Sequence, residues 1–198
     1  MRMVVFSDLD GTLLDHETYA FDAARPALDR MDRDAVPLVL CSSKTRAEME
    51  TIRTRLDNEH PFISENGGAL FIPAGYFPFE VEGAEPRGEY LVVGIGDPYR
   101  DVVAALSRAS RASGVRVRGF SEMTDVEVAS ATGLTTDQAR LARQREFDEP
   151  FEILDAARAP ILRAEVERQG KRWTEGGRFH HITGRNDKGA AVRLLAGL

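Results

Sequence analysis

Two carboxylates, Asp8 and Asp10, stand two residues apart directly after the short apolar run Met3–Phe6. That run predicts a buried strand, so both acids fall at its carboxyl end, where ligands bind in open parallel sheets. Like charges this close repel each other, and a hard cation such as Mg²⁺ would bind a carboxylate together with a backbone carbonyl. Gly11 would let the chain turn away sharply. The spacing therefore favours a metal site formed by Asp8 and Asp10, although an isolated Asp-x-Asp is more often an acidic turn.

Further strands and helices are needed to position these acids. Apolar runs at 36–41 and 62–64 predict two more buried strands, and helices are expected near 22–34 and from Thr45 onward. Alternating strands and helices imply a parallel sheet with helical crossovers. Asn66-Gly67 precedes a further apolar run at 70–72, which is a strong hairpin signal.

The middle of the chain predicts a second α/β module. Residues 73–89 are rich in proline and glycine and are typical of a linker. Beyond them the pattern predicts strands at 90–95, 115–120 and 151–154, helices at 98–113, 135–145 and 155–169, and a hairpin at 172–182. We therefore expect an α/β fold: a Rossmann-like parallel-sheet core of residues 1–82 and 184–198, with an inserted α/β cap domain at 83–183.

Composition excludes several classes of protein. The net charge of −6 argues against a nucleic-acid partner, which binds a basic field. The single cysteine, Cys41, excludes an internal disulfide, and no apolar run approaches the ~20 residues of a membrane span. We expect a cytoplasmic protein with no membrane or nucleic-acid partner, and a locally positive site for any phosphate. The sequence indicates no particular oligomeric state.

The run Val4–Asp15 resembles the first motif of the haloacid dehalogenase superfamily, and this match favours a catalytic site over an acidic turn. The resemblance implies a Mg²⁺-dependent phosphatase in which Asp8 attacks phosphorus and forms an aspartyl-phosphate. Asp10 would protonate the leaving oxygen and then activate water. General acid–base catalysis of this kind contributes ~10²–10⁴-fold.

The same resemblance implies two further catalytic residues. Ser42, after the second strand, would donate a hydrogen bond to a phosphoryl oxygen, although a helix-capping serine is the alternative. Lys188, in Asn186-Asp187-Lys188-Gly189, would offset charge between Asp8 and the phosphate. A lone lysine is more often a solvated surface residue, so this assignment depends on its context.

The family's fourth motif, an acidic strand end that completes the metal site, is not found in the nine residues after Gly189. Mg²⁺ keeps several waters and needs few protein ligands, so some binding would survive without it. We expect weak Mg²⁺ binding and little turnover from residues 1–198 alone.

Four further segments resemble mannosyl-3-phosphoglycerate phosphatases: Ser43–Thr45, Glu65–Gly68, Arg145–Glu149 and Gly176–His181. Arg178 would bind a glycerate carboxylate, and acidic residues of the third segment would accept hydrogen bonds from sugar hydroxyls. The implied substrate-binding residues are Gly11, Ser43, Lys44, Asn66, Gly67, Arg145, Glu146, Asp148, Arg178 and His180.

Simpler interpretations of these segments remain open. Arg145–Glu149 fits a solvated charge run after a helix, and composition alone favours that reading. His180 and His181 point to opposite faces of a strand, so one of them at most faces a ligand.

The predicted activity is hydrolysis of mannosyl-3-phosphoglycerate, a small-molecule sugar phosphate. The alternatives are another sugar-phosphate phosphatase, acting on glucosyl-3-phosphoglycerate or sucrose phosphate, and a non-catalytic ligand-binding protein.

Overall fold

The computed structural model describes residues 3–15, 18–176 and 179–198, and its contacts divide the chain into two compact units. The first unit comprises Met1–Ser43, Met49–Ile95 and Asp187–Leu198, and the second comprises Lys44–Glu48 and Gly96–Asn186. The sequence-based boundaries lay at 82/83 and 183/184. The structure divides the chain later at both places, and it assigns residues 44–48 to the second unit.

The first unit contains a mixed sheet flanked by helices. Its strands are β1 (Val5–Ser7), β2 (Leu38–Cys41), β3 (Phe62–Ser64), β4 (Ala69–Pro73), β5 (Glu85–Arg87) and β6 (Tyr90–Gly94). Its helices are α1 (Arg25–Arg33), most of α2 (Arg46–Leu56) and α7 (Lys188–Ala196), and Asp22–Ala24 form a 3₁₀ turn.

The strand order of this sheet is β1-β2-β3-β4-β6-β5. The first three strands run parallel, and the others pair antiparallel. All four residues of β2 are buried, as expected for a strand covered on both faces. Residues 73–89 were predicted to be a linker, but they supply β5 and the loop to β6. Pro86 pairs with Leu91, and Val81 packs into the apolar core.

The pairing of the three parallel strands β1, β2 and β3 determines where their ends lie. In the register of β1 and β2, Ser7 lies opposite Leu40, and in that of β2 and β3, Cys41 lies opposite Ile63. The carboxyl ends of the parallel strands therefore meet at one edge of the sheet.

The second unit contains an antiparallel sheet of order β7-β8-β10-β9. Its strands are β7 (Val117–Gly119), β8 (Asp148–Ile153), β9 (Arg172–Gly176) and β10 (Phe179–Thr183). Its helices are α3 (Tyr99–Ser113), α4 (Asp125–Thr132), α5 (Thr136–Ala142) and α6 (Ala159–Arg168), with 3₁₀ turns at Phe120–Glu122 and Ala156–Arg158.

Helix α3 shows why these sequences fold as they do. It buries Val102, Ala105, Leu106 and Ala109, which follow the i, i+3, i+4, i+7 spacing of a single helical face. It ends at Gly114, whose φ of 65° is a left-handed C-cap.

Helix α4 was not anticipated, although its Thr124-x-x-Glu127 capping box is present in the sequence and forms in the structure. The strand predicted at 151–154 begins three residues earlier, at Asp148. Asp148 and Glu149 are therefore buried strand residues and not part of a solvated charge run.

The two ends of the long segment of the second unit approach each other closely. A Cβ on Gly184 would lie 2.7 Å from the backbone nitrogen of Asp97, so only glycine fits there. The Asp97 carboxylate also forms an ion pair with Lys171. These contacts hold the entering chain near Asp97 against the leaving chain near Gly184.

The predicted fold class, an α/β protein with a parallel-containing sheet, is confirmed. Across residues 3–15, 18–176 and 179–198, no helix is both long and apolar enough to cross a membrane.

Cys41 provides a test of the core packing in the first unit. Burial raises the pKa of its thiol to about 11, an effect that nearby Lys188 partly offsets. At pH 8 only about a thousandth of the thiol would be thiolate, the reactive form. We expect the native protein to resist a chromogenic disulfide reagent that labels it rapidly in guanidinium. Equal labelling rates in the two conditions would show that the β2 core is open.

Candidate active site

Asp8 follows β1 directly, and both of its carboxylate oxygens are engaged. Oδ1 accepts a hydrogen bond from the backbone N–H of Leu9 at 2.8 Å, and Oδ2 accepts one from the Lys188 ammonium at 2.7 Å. The Asp8 side chain is 46% exposed and that of Lys188 34% exposed. An ion pair this exposed contributes only ~0–1 kcal/mol to stability. Its main effect is to place a cation beside the carboxylate that ends β1.

Helix α7 begins at Lys188 and sets the position of its ammonium group. Asp187 caps the helix, since its Oδ1 accepts the N–H of Ala190 at 2.7 Å. Ala191 and Leu195 bury the helix against the apolar core of the first unit. A cation in the first turn of a helix opposes the helix dipole. The Asp8 carboxylate offsets this unfavourable charge at the helix start.

The turn after Asp8 is fixed by backbone hydrogen bonds. Leu14 N–H donates to the Leu9 carbonyl at 2.8 Å, and Gly11 N–H donates to the Leu14 carbonyl at 2.9 Å. Gly11 has a φ of 67°, as the predicted sharp turn requires. Asp10 lies within this closed loop, two residues from Asp8.

The predicted site residues after β2 and β3 are also adjacent. Ser42 is fully buried, and its carbonyl accepts the N–H of Asn66 at 3.0 Å. Ser43 is only half-buried. The turn at Gly67 packs on the backbone of Asp187, since a Cβ on Gly67 would lie 2.3 Å from the Asp187 carbonyl oxygen. The structure therefore links Ser42, Asn66 and Gly67 to the residue that precedes Lys188.

The register of β1 and β2 places the end of β2 beside the end of β1, where Asp8 lies, and Lys188 contacts Asp8. Asp8, Lys188 and the end of β2 thus lie at one edge of the sheet. A negatively charged phosphate at this edge would meet the Lys188 ammonium.

The second unit contains an acid–imidazole pair. The wholly buried Asp148 carboxylate accepts a hydrogen bond from His181 Nδ1 at 2.8 Å. Because a carboxylate accepts there, Nδ1 carries the hydrogen and Nε2 is the nitrogen left for another partner. Nε2 lies over Gly176, where a Cβ would come within 3.0 Å of it.

His180 occupies the opposite face of β10 from His181. Its ring lies 4.9 Å from Trp173 and 5.8 Å from Phe151, both core residues of the second unit. The structure thus places the predicted substrate residue His180 against apolar rings, and places His181 beside Asp148. The contact between His181 and Asp148 depends on the pairing of β10 with β8, in which His181 lies opposite Pro150, two residues from Asp148. The sequence shows the acid and the histidine but does not show this register.

The remaining predicted substrate residues of the second unit make local contacts. Arg145 Nε donates to the carbonyl of Ala142 at 2.8 Å, and Glu146 pairs with Arg46 at 3.5 Å. Lys44 is half-buried in the segment 44–48. Arg178 lies outside the described residues.

Glu149 is a buried acid whose carboxylate accepts hydrogen bonds from two other residues of the second unit. It accepts from Tyr99 Oη at 2.5 Å and from Ser121 N–H and Oγ at 3.0 and 2.6 Å. Burial raises the pKa of the Glu149 carboxyl, and these donors act in the opposite direction. Its contacts indicate a role in joining α3 and the Phe120–Glu122 turn to β8.

Comparison with known proteins gives the family. Residues 5–75 match the model of haloacid dehalogenase-like hydrolases. A glucosyl-3-phosphoglycerate/mannosyl-3-phosphoglycerate phosphatase of Methanococcoides burtonii is 43% identical over 98% of this chain and 72% of its own length. A mannosyl-3-phosphoglycerate phosphatase of Pyrococcus furiosus is 37% identical over 100% of this chain and 78% of its own length.

Solved structures show the same fold at low sequence identity. A protein of Thermoplasma acidophilum matches with a TM-score of 0.68 and 19% identity, over 100% of this chain and 71% of its own. A haloacid dehalogenase-like hydrolase of Bacteroides thetaiotaomicron matches with a TM-score of 0.64 and 16% identity, over 100% of this chain and 77% of its own. The relatives from Methanococcoides burtonii and Pyrococcus furiosus are 43% and 37% identical to this chain over most of their length. The chain therefore belongs to the haloacid dehalogenase-like hydrolase family and is a phosphatase.

Proposed function

We propose that this phosphatase hydrolyses a glycosyl-3-phosphoglycerate, with mannosyl-3-phosphoglycerate as the leading substrate, to the glycosylglycerate and phosphate. The observation that carries the chemistry is the 2.7 Å contact between Asp8 and Lys188 at the carboxyl edge of the sheet. The substrate class is supported by the names of the relatives in Methanococcoides burtonii and Pyrococcus furiosus.

In the proposed mechanism, an Asp8 oxygen attacks phosphorus while the ester P–O bond breaks. Asp10 gives a proton to the leaving glycerate oxygen, and an aspartyl-phosphate remains. Asp10 then takes a proton from water, whose oxygen attacks phosphorus, and Asp8 and free phosphate are released. Lys188 stabilises charge between Asp8 and the phosphoryl oxygens, and the Ser42 hydroxyl donates to one of them.

We propose Mg²⁺ as the cofactor, held by the Asp8 carboxylate and the backbone carbonyl of Asp10. Oxygen donors of this type fit Mg²⁺, which is commonly bound by one or two carboxylates and otherwise keeps its waters. Within the described ranges, no group of three or more His, Cys, Asp or Glu side chains is close enough to hold a metal. The donors present thus suit this ion better than one that needs a complete protein cage. When bound, it would neutralise phosphate charge.

Recognition of the organic part of the substrate is assigned to the second unit. Asp148 holds His181 so that Nε2 is available to a sugar hydroxyl. The partly exposed Glu146 carboxylate, in the same unit, could accept a hydrogen bond from another hydroxyl. The His181 side chain is only 11% exposed, and this low exposure would strengthen such a hydrogen bond relative to one in open solvent.

A substrate panel tests the proposal against its alternatives. With Mg²⁺ at saturating concentration, we expect faster phosphate release from mannosyl- or glucosyl-3-phosphoglycerate than from sucrose phosphate, and loss of release when EDTA is added. A preference for sucrose phosphate would support the other sugar-phosphate phosphatase. Tight binding of the glycosyl substrates in calorimetry without any turnover would support the non-catalytic binding protein.

Replacing the nucleophile should stop the reaction without unfolding the chain. Asp8→Asn keeps the shape of the side chain but removes its charge, so we expect phosphate release to fall by at least about 10³-fold, within the range that loss of a nucleophile costs. Asp34→Asn, which removes an acid from an exposed ion pair with Arg30, is the control and should retain activity. Circular dichroism would check the fold. Asp8→Asn protein with normal turnover would refute the nucleophile assignment.

The two histidines of β10 provide a matched pair for the recognition step. His181→Asn keeps a donor for Asp148 and removes Nε2, so KM for the glycosyl substrate should rise about three- to tenfold, the worth of one hydrogen bond. Turnover of p-nitrophenyl phosphate should not change.

His180→Asn should lower the midpoint of thermal unfolding through lost ring packing and leave KM unaltered. The opposite assignment, with KM sensitive to His180 alone, would show that the other face of β10 meets the substrate.

A further inference from the structure

The turn Glu65–Gly67 places three successive residues, one of them a glutamate, in left-handed backbone. Glu65, Asn66 and Gly67 have φ values of 47°, 57° and 86°, so three successive residues are left-handed. Gly67 and Asn66 tolerate this backbone, whereas it is unfavourable for Glu65 and persists there because the surrounding structure imposes it. A type I′ hairpin turn uses two left-handed residues, so this turn between β3 and β4 has one more than that turn needs.

Backbone hydrogen bonds hold this turn in place. The N–H groups of Gly67 and Gly68 donate to the Ser64 carbonyl at 3.1 and 2.9 Å, and the Asn66 N–H donates to the Ser42 carbonyl at 3.0 Å. The turn is thus fixed to the ends of β2 and β3, which are buried strands. It forms a rigid surface at the edge of the sheet where Asp8 lies.

The start of α7 rests on that surface. A Cβ on Gly67 would lie 2.3 Å from the carbonyl oxygen of Asp187 and 2.9 Å from the backbone nitrogen of Lys188. Both contacts are to backbone, which cannot move aside as the end of a flexible side chain can. Four other glycines of the first unit with positive φ have nothing within 4 Å of such a Cβ: Gly11, Gly75, Gly83 and Gly88.

We propose that Gly67 is a positioning residue that sets the Lys188 ammonium on Asp8. The inference rests on the catalytic roles proposed above for Asp8 and Lys188. The 2.7 Å contact requires the first residue of α7 to lie at a fixed depth against the sheet. Because Gly67 has no side chain, the Asp187–Lys188 peptide reaches that depth. In this role Gly67 acts through Lys188.

Gly67→Ala and Gly75→Ala form a matched pair, since the two glycines have similar φ values, 86° and 77°. Both variants place a Cβ in left-handed backbone, but only the first meets Asp187. We expect Gly67→Ala to lower kcat about tenfold or more with KM within about twofold, because displacement of a catalytic group by about 1 Å can cost 10²-fold. Gly75→Ala should leave both parameters within about twofold, because its added Cβ would meet no atom within 4 Å and so would displace none.

A double-mutant cycle distinguishes positioning from general damage. In a Lys188→Ala background the ammonium is gone, so adding Gly67→Ala should cost less than about twofold further in kcat. Independent losses that multiply would mean that Gly67 acts elsewhere, and equal kcat for Gly67→Ala and Gly75→Ala would likewise overturn the inference. If Lys188→Ala turned over normally, the proposed function would lose its cation and the inference would fail with it.

A second variant covers the case in which Gly67→Ala does not fold. Asp187→Ala removes the cap that fixes the start of α7, and Asp187→Ser retains an acceptor for the Ala190 N–H. We expect kcat to fall in Asp187→Ala, to recover in Asp187→Ser, and to be insensitive to both in the Lys188→Ala background. Losses of the same size with and without Lys188 would overturn the inference.

Discussion

The salt bridge between Asp8 and Lys188 joins two residues 180 positions apart in the chain, one at the end of the first strand and the other at the start of the last helix. Neither group is favourable alone. A carboxylate beside a second acid raises the local negative potential, and a lysine in the first turn of a helix opposes its dipole. Together they offset each other, and the arrangement of the first unit can be understood from this requirement. The parallel strands present Asp8, the buried face of α7 holds the helix on the core, and the close contact of Gly67 with Asp187 sets the depth of the helix start.

Some exceptions to local rules lie beside the proposed chemistry, and others, such as the left-handed Ala35 between α1 and β2, do not involve it. The left-handed Glu65 and Asn66 and the cation at the start of α7 all lie beside the edge where Asp8 ends β1. In the second unit the exceptions are two neighbouring buried acids, Asp148 and Glu149. Burying a carboxylate is costly unless donors satisfy it. Glu149 is satisfied by neutral donors that tie elements together, whereas Asp148 is paired with a histidine that keeps a second nitrogen for another partner.

Sequence reasoning succeeded where a strong local pattern and the tertiary structure agree. The buried strands β2 and β3, the turn at Gly11 and the capping box at Thr135 could all be identified from residue types alone. The strand β1 was also anticipated, but as a buried strand at Met3–Phe6; it is Val5–Ser7 and only half-buried, and Met3 and Val4 are exposed. It failed where strand pairing decides the outcome. Asp148 and Glu149 look like a solvated charge run until β8 is seen to continue through them, and only the register of β8 with β10 shows which histidine meets Asp148. The contact of Gly67 with Asp187 joins segments about 120 residues apart, and no local pattern reveals it.

The close approach of Gly184 to Asp97 bears on how the chain folds. About 90 residues separate the two strands of backbone that enter and leave the second unit. Closing a flexible loop of that length to bring α7 back to β1 would cost about 4 kcal/mol in entropy. If the second unit forms first, its own contacts hold the two crossing segments together, and the remaining closure spans only a few residues. Assembly of the catalytic edge is then a late event whose rate depends on the folding of the second unit.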